Sequence, residues 1–121
     1  VFKLMKRVLP GPYTFILTAT NEVSKRFKSN KRTVGIRVPD SEIVHALVVE
    51  LGNPIVSSSI HSEDEILDYI TDPSEIYEVW KHQVHYVVDG GVGRNQGSTV
   101  VDCTEKVPYV IREGLGLDAL L

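Results

Sequence analysis

The chain has 121 residues, 42% of them hydrophobic and 24% charged, which is enough for one apolar core of ordinary size. A lone cysteine excludes an internal disulfide. No apolar run approaches the roughly 18 residues of a membrane span or the charged-then-apolar pattern of a signal peptide, so a cytoplasmic protein without a membrane segment is expected. The formal net charge of −3 is unevenly spread: residues 1–40 sum to +7 and residues 41–121 to −10. A basic segment in an acidic chain suits a phosphate or nucleic-acid face and equally a plain solvated surface, and charge alone does not choose between them.

Phe2, Met5, Val8 and Leu9 recur at helical spacing, and Pro10-Gly11-Pro12 forbids continuation, so a short helix should end there. Because the chain enters this pattern directly at Val1, further residues are expected upstream. Thr14 to Ala19 and Thr33 to Val38 read as strands, with the lysine-rich Lys25 to Arg32 as a loop between them. Ser41 precedes a 3.6-residue apolar face of Ile43, Val44, Leu47, Val48 and Leu51 that Gly52 closes. Ile55-Val56 is expected to be a buried strand running into Ser57, Ser58 and Ser59.

Ser62 with Glu65, and Asp72 with Pro73 and Glu75, are capping patterns; the second should open a helix carrying Ile76, Val79 and Trp80. Val84 to Val88, Thr99 to Val101 and Tyr109 to Ile111 are expected strands. The last two should be antiparallel neighbours, because their connection is too short for a crossover. The intermixed elements predict an α/β or α+β domain with a twisted mixed sheet and flanking helices, spanning residues 1–121 as a single domain.

Gly90 to Thr99 invites a phosphate-loop reading, but it lacks Gly-x-x-x-x-Gly-Lys, Gln96 replaces the last glycine of a dinucleotide fingerprint, and a strand follows. A mobile hairpin loop is the plainer account. The serine run and His61 lack a Gly-x-Ser-x-Gly elbow and a placed acid, which speaks against a serine hydrolase. Serines after a strand more naturally aim hydroxyls and amides at a ligand beyond the sheet's carboxyl edge. His82, His85 and Cys103 are too few and too scattered for a metal site. Arg37 and Arg112 lie among apolar strand residues, where a guanidinium needs an anion or a structural carboxylate partner; periodicity leaves both readings open.

Five segments occur in one order: Leu9 to Leu17, Thr33 to Asp40, Pro54 to Ser59, Ser98 to Asp102 and Val110 to Gly114. Read together, they resemble the YrdC/YciO family. The resemblance implies a twisted, mostly parallel sheet with a positively charged concave face. It also implies a threonylcarbamoyl-adenylate synthase, a nucleotidyltransferase that joins L-threonine, bicarbonate and ATP with release of pyrophosphate for a tRNA modification. ATP-binding residues would be Thr14, Ile60 and Arg112; threonine-binding residues would be Arg37, Ser58 and Ser98. Mg²⁺ would arrive with ATP, without a protein-bound metal site. No nucleophilic side chain is required, since positioning and charge stabilisation carry such chemistry.

Ser58-Ser59-Ile60-His61 replaces the Thr-Ser-Ala-Asn of the synthase branch and is closer to the YciO branch. The family's N-terminal Pro-Thr-Asp/Glu-Thr strand and Lys-x-Arg segment have no counterpart, so the chain reads as the C-terminal portion of the domain and is expected to be inactive alone. The alternatives are a double-stranded RNA-binding module without catalysis, and a fragment whose sheet is completed by a second copy or another partner.

Overall fold

Four strands and four α-helices make up the regular structure of the described residues, 1–27, 30–61 and 69–120, in a computed structural model, with a short 3-10 helix at Leu117–Leu120. The chain divides into two compact units, one of Val1–Ser41 with Gly97–Leu121 and the other of Glu42–Gln96.

In the first unit, α1 (Phe2–Val8) ends as its prolines dictate: Leu9, held extended before Pro10, closes the helix with its N–H on the Met5 carbonyl. The sheet of β1 (Tyr13–Thr18), β2 (Thr33–Arg37), β3 (Thr99–Asp102) and β4 (Tyr109–Arg112) has the order β2-β1-β3-β4. β1 runs antiparallel to β2 and parallel to β3, and β3 runs antiparallel to β4, as their short connection requires. Where the resemblance implies a mostly parallel sheet, the described strands thus hold one parallel and two antiparallel pairs.

Strand alternation sorts the side chains onto two faces. Tyr13, Phe15 and Val101 are buried on one, where Leu4, Met5, Val8 and Leu9 of the first helical segment pack with Leu17, Cys103 and Leu120. Phe15 is fully enclosed, worth about 2–3 kcal/mol in apolar burial. The second face carries Thr14, Ile16, Val100 and Asp102.

One irregularity sets what β4 presents to that face. Val101 pairs with Val110 but Val100 pairs with Arg112, so Ile111 is an extra residue in β4. A regular register would set Ile111 beside Val100 and turn Arg112 toward the apolar core; the bulge brings Arg112 onto the second face. Beyond β4 the chain folds back along the start of β3. The Leu115 N–H donates to the Gly97 carbonyl, and a Cβ on Gly114 would come within 2.7 Å of the Ser98 carbonyl oxygen.

The turn from β3 to β4 is held by Asp102, whose carboxylate accepts from the Thr104 hydroxyl (2.6 Å), the Thr104 N–H (2.9 Å) and the Tyr109 hydroxyl (3.3 Å). The Thr104 hydroxyl, then its N–H, hold the Asp102 carboxyl below its ordinary range, while the Asp102 charge pushes the Tyr109 phenol up.

In the second unit, α3 (Glu42–Leu51) ends at Gly52, whose φ of +79° suits a residue without a Cβ. The helix α4 (Pro73–Trp80) is capped by Asp72, which accepts the Ser74 N–H at 2.9 Å. Several expectations are corrected. Val84 to Val88 is not a strand: it follows the turn after α4 without a strand partner among the described residues, and Tyr86 is 90% exposed. Ile55-Val56 is exposed and has no strand partner among the described residues. β-branched composition marks a fit to a pleated, half-buried surface and forms no strand without a neighbour.

The segment expected as a loop from Lys25 begins inside α2 (Asn21–Arg26), a helix of the first unit capped by the Thr20 hydroxyl. The glycine-rich stretch is tied down: the Gly93 N–H donates to the Thr71 carbonyl and Asn95 Oδ1 accepts the Tyr69 N–H. The Ser62/Glu65 capping pattern lies outside the described residues.

Two outcomes test this account. Gly114→Ala should destabilise the chain by ~2–3 kcal/mol, because backbone must move, whereas Gly52→Ala, with open space around its Cβ, should cost about 1 kcal/mol from φ alone; urea unfolding of both variants measures the difference. A carboxyl held below its ordinary value near 3.8 stabilises the fold above that pH and loses its contribution as pH falls through the lower folded-state value. Unfolding curves of Asp102→Asn should therefore lose part of the wild-type acid dependence and match its trend at neutral pH.

Candidate functional site

Directly paired residues share a face of a sheet, so the registers Arg37↔Thr14, Thr14↔Val100 and Val100↔Arg112 define one row across all four strands. Its two ends are guanidinium-bearing residues, about 14 Å apart at the backbone from three strand spacings. Gly35, next but one to Arg37 on the same face, leaves room beside Thr14: a Cβ there would make only ordinary contact with the Thr14 methyl at 3.4 Å.

Ser98, immediately before β3, bonds to the middle of this row. Its hydroxyl lies 2.7 Å from the Thr14 hydroxyl. Arg112 donates from both Nε (3.1 Å) and Nη2 (2.8 Å) to the Ser98 carbonyl, and from Nη2 to the Ser98 hydroxyl at 3.1 Å. Arg112 has donors alone, so the Ser98 oxygen accepts from it. Whichever way the two hydroxyls are ordered, one O–H of the Thr14/Ser98 pair is left to point elsewhere. The cluster therefore presents a hydroxyl donor and the Nη1 group of Arg112 to an acceptor, which fits an anionic or carbonyl oxygen.

Arg37 is exposed, and its guanidinium has no ion pair or hydrogen bond among the described residues. Neither strand arginine has a carboxylate partner there, unlike Arg26 with Glu22 and Lys81 with Glu78 on helix surfaces. Among the described residues neither arginine forms the structural ion pair that periodicity left open, and Arg112 binds a backbone carbonyl.

Of the six residues singled out from sequence, Thr14, Arg37, Ser98 and Arg112 come together in the first unit. Ser58 and Ile60 belong to the second, where His61 bridges to Tyr69 with their rings stacked at 5.1 Å. Thr99, which the sequence places with Ser98 at the mouth of a strand but to which it assigns no role, is fully buried on the core side, and its hydroxyl donates to the Leu115 carbonyl (2.7 Å) and accepts the Gly114 N–H (3.1 Å). A threonine alternating with apolar strand residues carries no sequence signal for this. Among the described residues no group of three or more His, Cys, Asp and Glu could hold a metal ion, and no helix is long and apolar enough to cross a membrane.

Arg112→Lys should destabilise the chain by about 1 kcal/mol, since an ammonium cannot span the Ser98 carbonyl and hydroxyl together. Arg37→Lys should stay within ~0.5 kcal/mol of wild type. Thermal and urea unfolding compare the two.

A family model named Sua5_yciO_yrdC, with the description telomere recombination, matches residues 1–114. An uncharacterized protein of Haemophilus influenzae is 44% identical over 119 residues, covering 98% of this chain and 58% of its own length. YciO of Escherichia coli is 41% identical over 116 residues, 95% of this chain and 56% of its own. A threonylcarbamoyl-AMP synthase of Bos taurus is 31% identical over 126 residues, 96% of this chain and 44% of its own. Among solved structures, that of E. coli YciO matches with a TM-score of 0.84 over 95% of this chain and 56% of that one. P. abyssi Sua5 complexed with L-threonine matches with a TM-score of 0.78 at 30% identity, over 93% and 33%. The chain spans just over half the length of the first two relatives.

Proposed function

The chain belongs to the Sua5/YciO/YrdC family, and from that premise we propose that it supplies part of a threonylcarbamoyl-adenylate synthase-type site that binds ATP and L-threonine for tRNA modification. The observation that carries the reading is the row from Arg37 through Thr14 to Arg112, a guanidinium at each end and paired hydroxyls between. L-Threonine has a carboxylate, an ammonium and a hydroxyl; ATP has a chain of phosphates. A row with two separated cationic ends and a central donor offers one end to each anion.

Arg37, whose guanidinium has no partner among the described residues, would take the threonine carboxylate. Thr14 and Ser98 would hold an oxygen at the reacting centre, and Arg112 would offer its remaining Nη1 group to a phosphate. Ser58 and Ile60 are assigned to substrate and nucleotide on motif order alone. The reaction would join the threonine amine and bicarbonate as a carbamate, with loss of the bicarbonate hydroxyl as water, and a carbamate oxygen would then attack the α-phosphorus and expel pyrophosphate. The residues named bind and orient; none serves as a nucleophile. Mg²⁺ would enter on the nucleotide phosphates, whose charge it neutralises.

A second reading, binding of double-stranded RNA, is favoured by Lys3, Lys6 and Arg7, all exposed on α1. It requires affinity that drops steeply with salt. Calorimetric titration of Mg²⁺-ATP into the chain, with and without L-threonine, separates the readings. Threonine-dependent binding that weakens about 10- to 100-fold in Arg37→Ala is expected, the loss of hydrogen bonds to a charged group. No binding of either ligand by the folded chain, together with salt-sensitive RNA binding, would sink the synthase reading.

A further inference from the structure

Thr99 is the residue through which the core side of the sheet reaches the second-face cluster. It is 0% exposed, and its side chain points away from Thr14, Val100 and Arg112, so no ligand on that face touches it. Yet its hydroxyl crimps the segment that follows Arg112: it gives a proton to the Leu115 carbonyl and takes one from the Gly114 N–H. The same segment is fixed by the Leu115 N–H on the Gly97 carbonyl, by the Ser98↔Leu115 bridge and by the Tyr13 hydroxyl on the Gly116 carbonyl at 2.7 Å. Gly114 fits against the Ser98 peptide with no room for a Cβ. The peptide whose carbonyl Arg112 grips is therefore packed by the chain just beyond Arg112 itself, and Thr99 ties that loop shut.

We infer that Thr99 is a positioning residue: its buried hydroxyl fixes the Gly114-Leu115 return so that Arg112 meets both the carbonyl and the hydroxyl of Ser98. The same hydroxyl pairs the Gly114 N–H and the Leu115 carbonyl, two groups that a valine of equal shape would leave without that partner. The consequence for ligand affinity rests on the synthase-type reading of the site; the positioning itself does not.

The test reads the Arg112 Nε–H by NMR in the ¹⁵N-labelled chain, assigned by its disappearance in Arg112→Lys. In the wild type this proton should exchange with water about tenfold more slowly than that of Arg37, the protection one hydrogen bond gives. Thr99→Val, which keeps the shape and loses the hydroxyl, should bring it to the Arg37 rate, and Thr99→Ser should keep it slow. A folded Thr99→Val chain with undiminished protection, or a Thr99→Ser chain that loses it, overturns the inference. Should Thr99→Val fail to fold, Thr99→Ala and Thr99→Ser, which differ by the hydroxyl alone, decide in the same way.

Titration of L-threonine into the same variants keeps the two claims apart. About tenfold weaker binding in Thr99→Val with recovery in Thr99→Ser supports positioning of the ligand site. Equal affinity in wild type and both variants overturns that role. No threonine binding by the wild type, with the proton-exchange pattern as expected, refutes the proposed function and leaves the positioning standing.

Discussion

Arg112 commits Nε and Nη2 to the Ser98 carbonyl and hydroxyl, and much of the polar arrangement on the second face of the sheet follows from that contact. The guanidinium fixes a peptide at the entrance to β3, the peptide fixes the Ser98 hydroxyl, and the hydroxyl reaches Thr14 on β1. β1, distant in sequence, is thereby joined to β3 and β4, and the bonds from Arg112 have a charged donor, the stronger kind. The contact exists because β4 carries one residue too many. Without Ile111 as a bulge, the alternation of the strand would send Arg112 into an apolar layer, where a guanidinium without an anion is costly.

The two faces of the sheet divide the labour. Tyr13, Phe15 and Val101 supply the apolar burial that keeps β1 and β3 parallel and adjacent, while Thr14 and Arg112 supply groups able to meet a ligand. Thr99 is a polar member of the buried side, and its hydroxyl is satisfied in both directions, as a fully enclosed hydroxyl must be. Arg37 stands apart: it belongs to the same row but no described side chain restrains its guanidinium, so the cationic end on β2 is adjustable where the one on β4 is fixed.

Elements with strong local signals were legible from sequence. The helix before Pro10, the helix closed by Gly52 and the one opened by Asp72-Pro73 follow from residues that act within a turn or two, and each forms as expected. Val84 to Val88 and Ile55-Val56 failed for the opposite reason, since a strand depends on what lies beside it. The motif order brought Thr14, Arg37, Ser98 and Arg112 under suspicion, yet nothing local says that Thr14 and Ser98 share a hydrogen bond, because β1 and β3 pair across the whole second unit. The bulge at Ile111 was equally hidden: Tyr-Val-Ile-Arg reads the same with or without it. Thr20 is a capping residue by type, but a six-residue helix carries too little apolar periodicity to be told from a lysine-rich loop.

The parallel pairing of β1 with β3 also governs when the cluster can come into being. Thr14 and Ser98 are 84 positions apart, and Tyr13 and Gly116 are 103 apart. A growing polypeptide that has released β1 holds Phe15 and Thr14 without their β3 neighbours until about eighty further residues have been made. Contacts of such long sequence separation cost closure entropy before they return any energy, which slows formation and favours an all-or-none event. The polar line through Ser98 should accordingly assemble only after Arg112 has been made, and a chain stopped short of Gly97 would display Thr14 with neither its hydroxyl partner nor the arginine behind it.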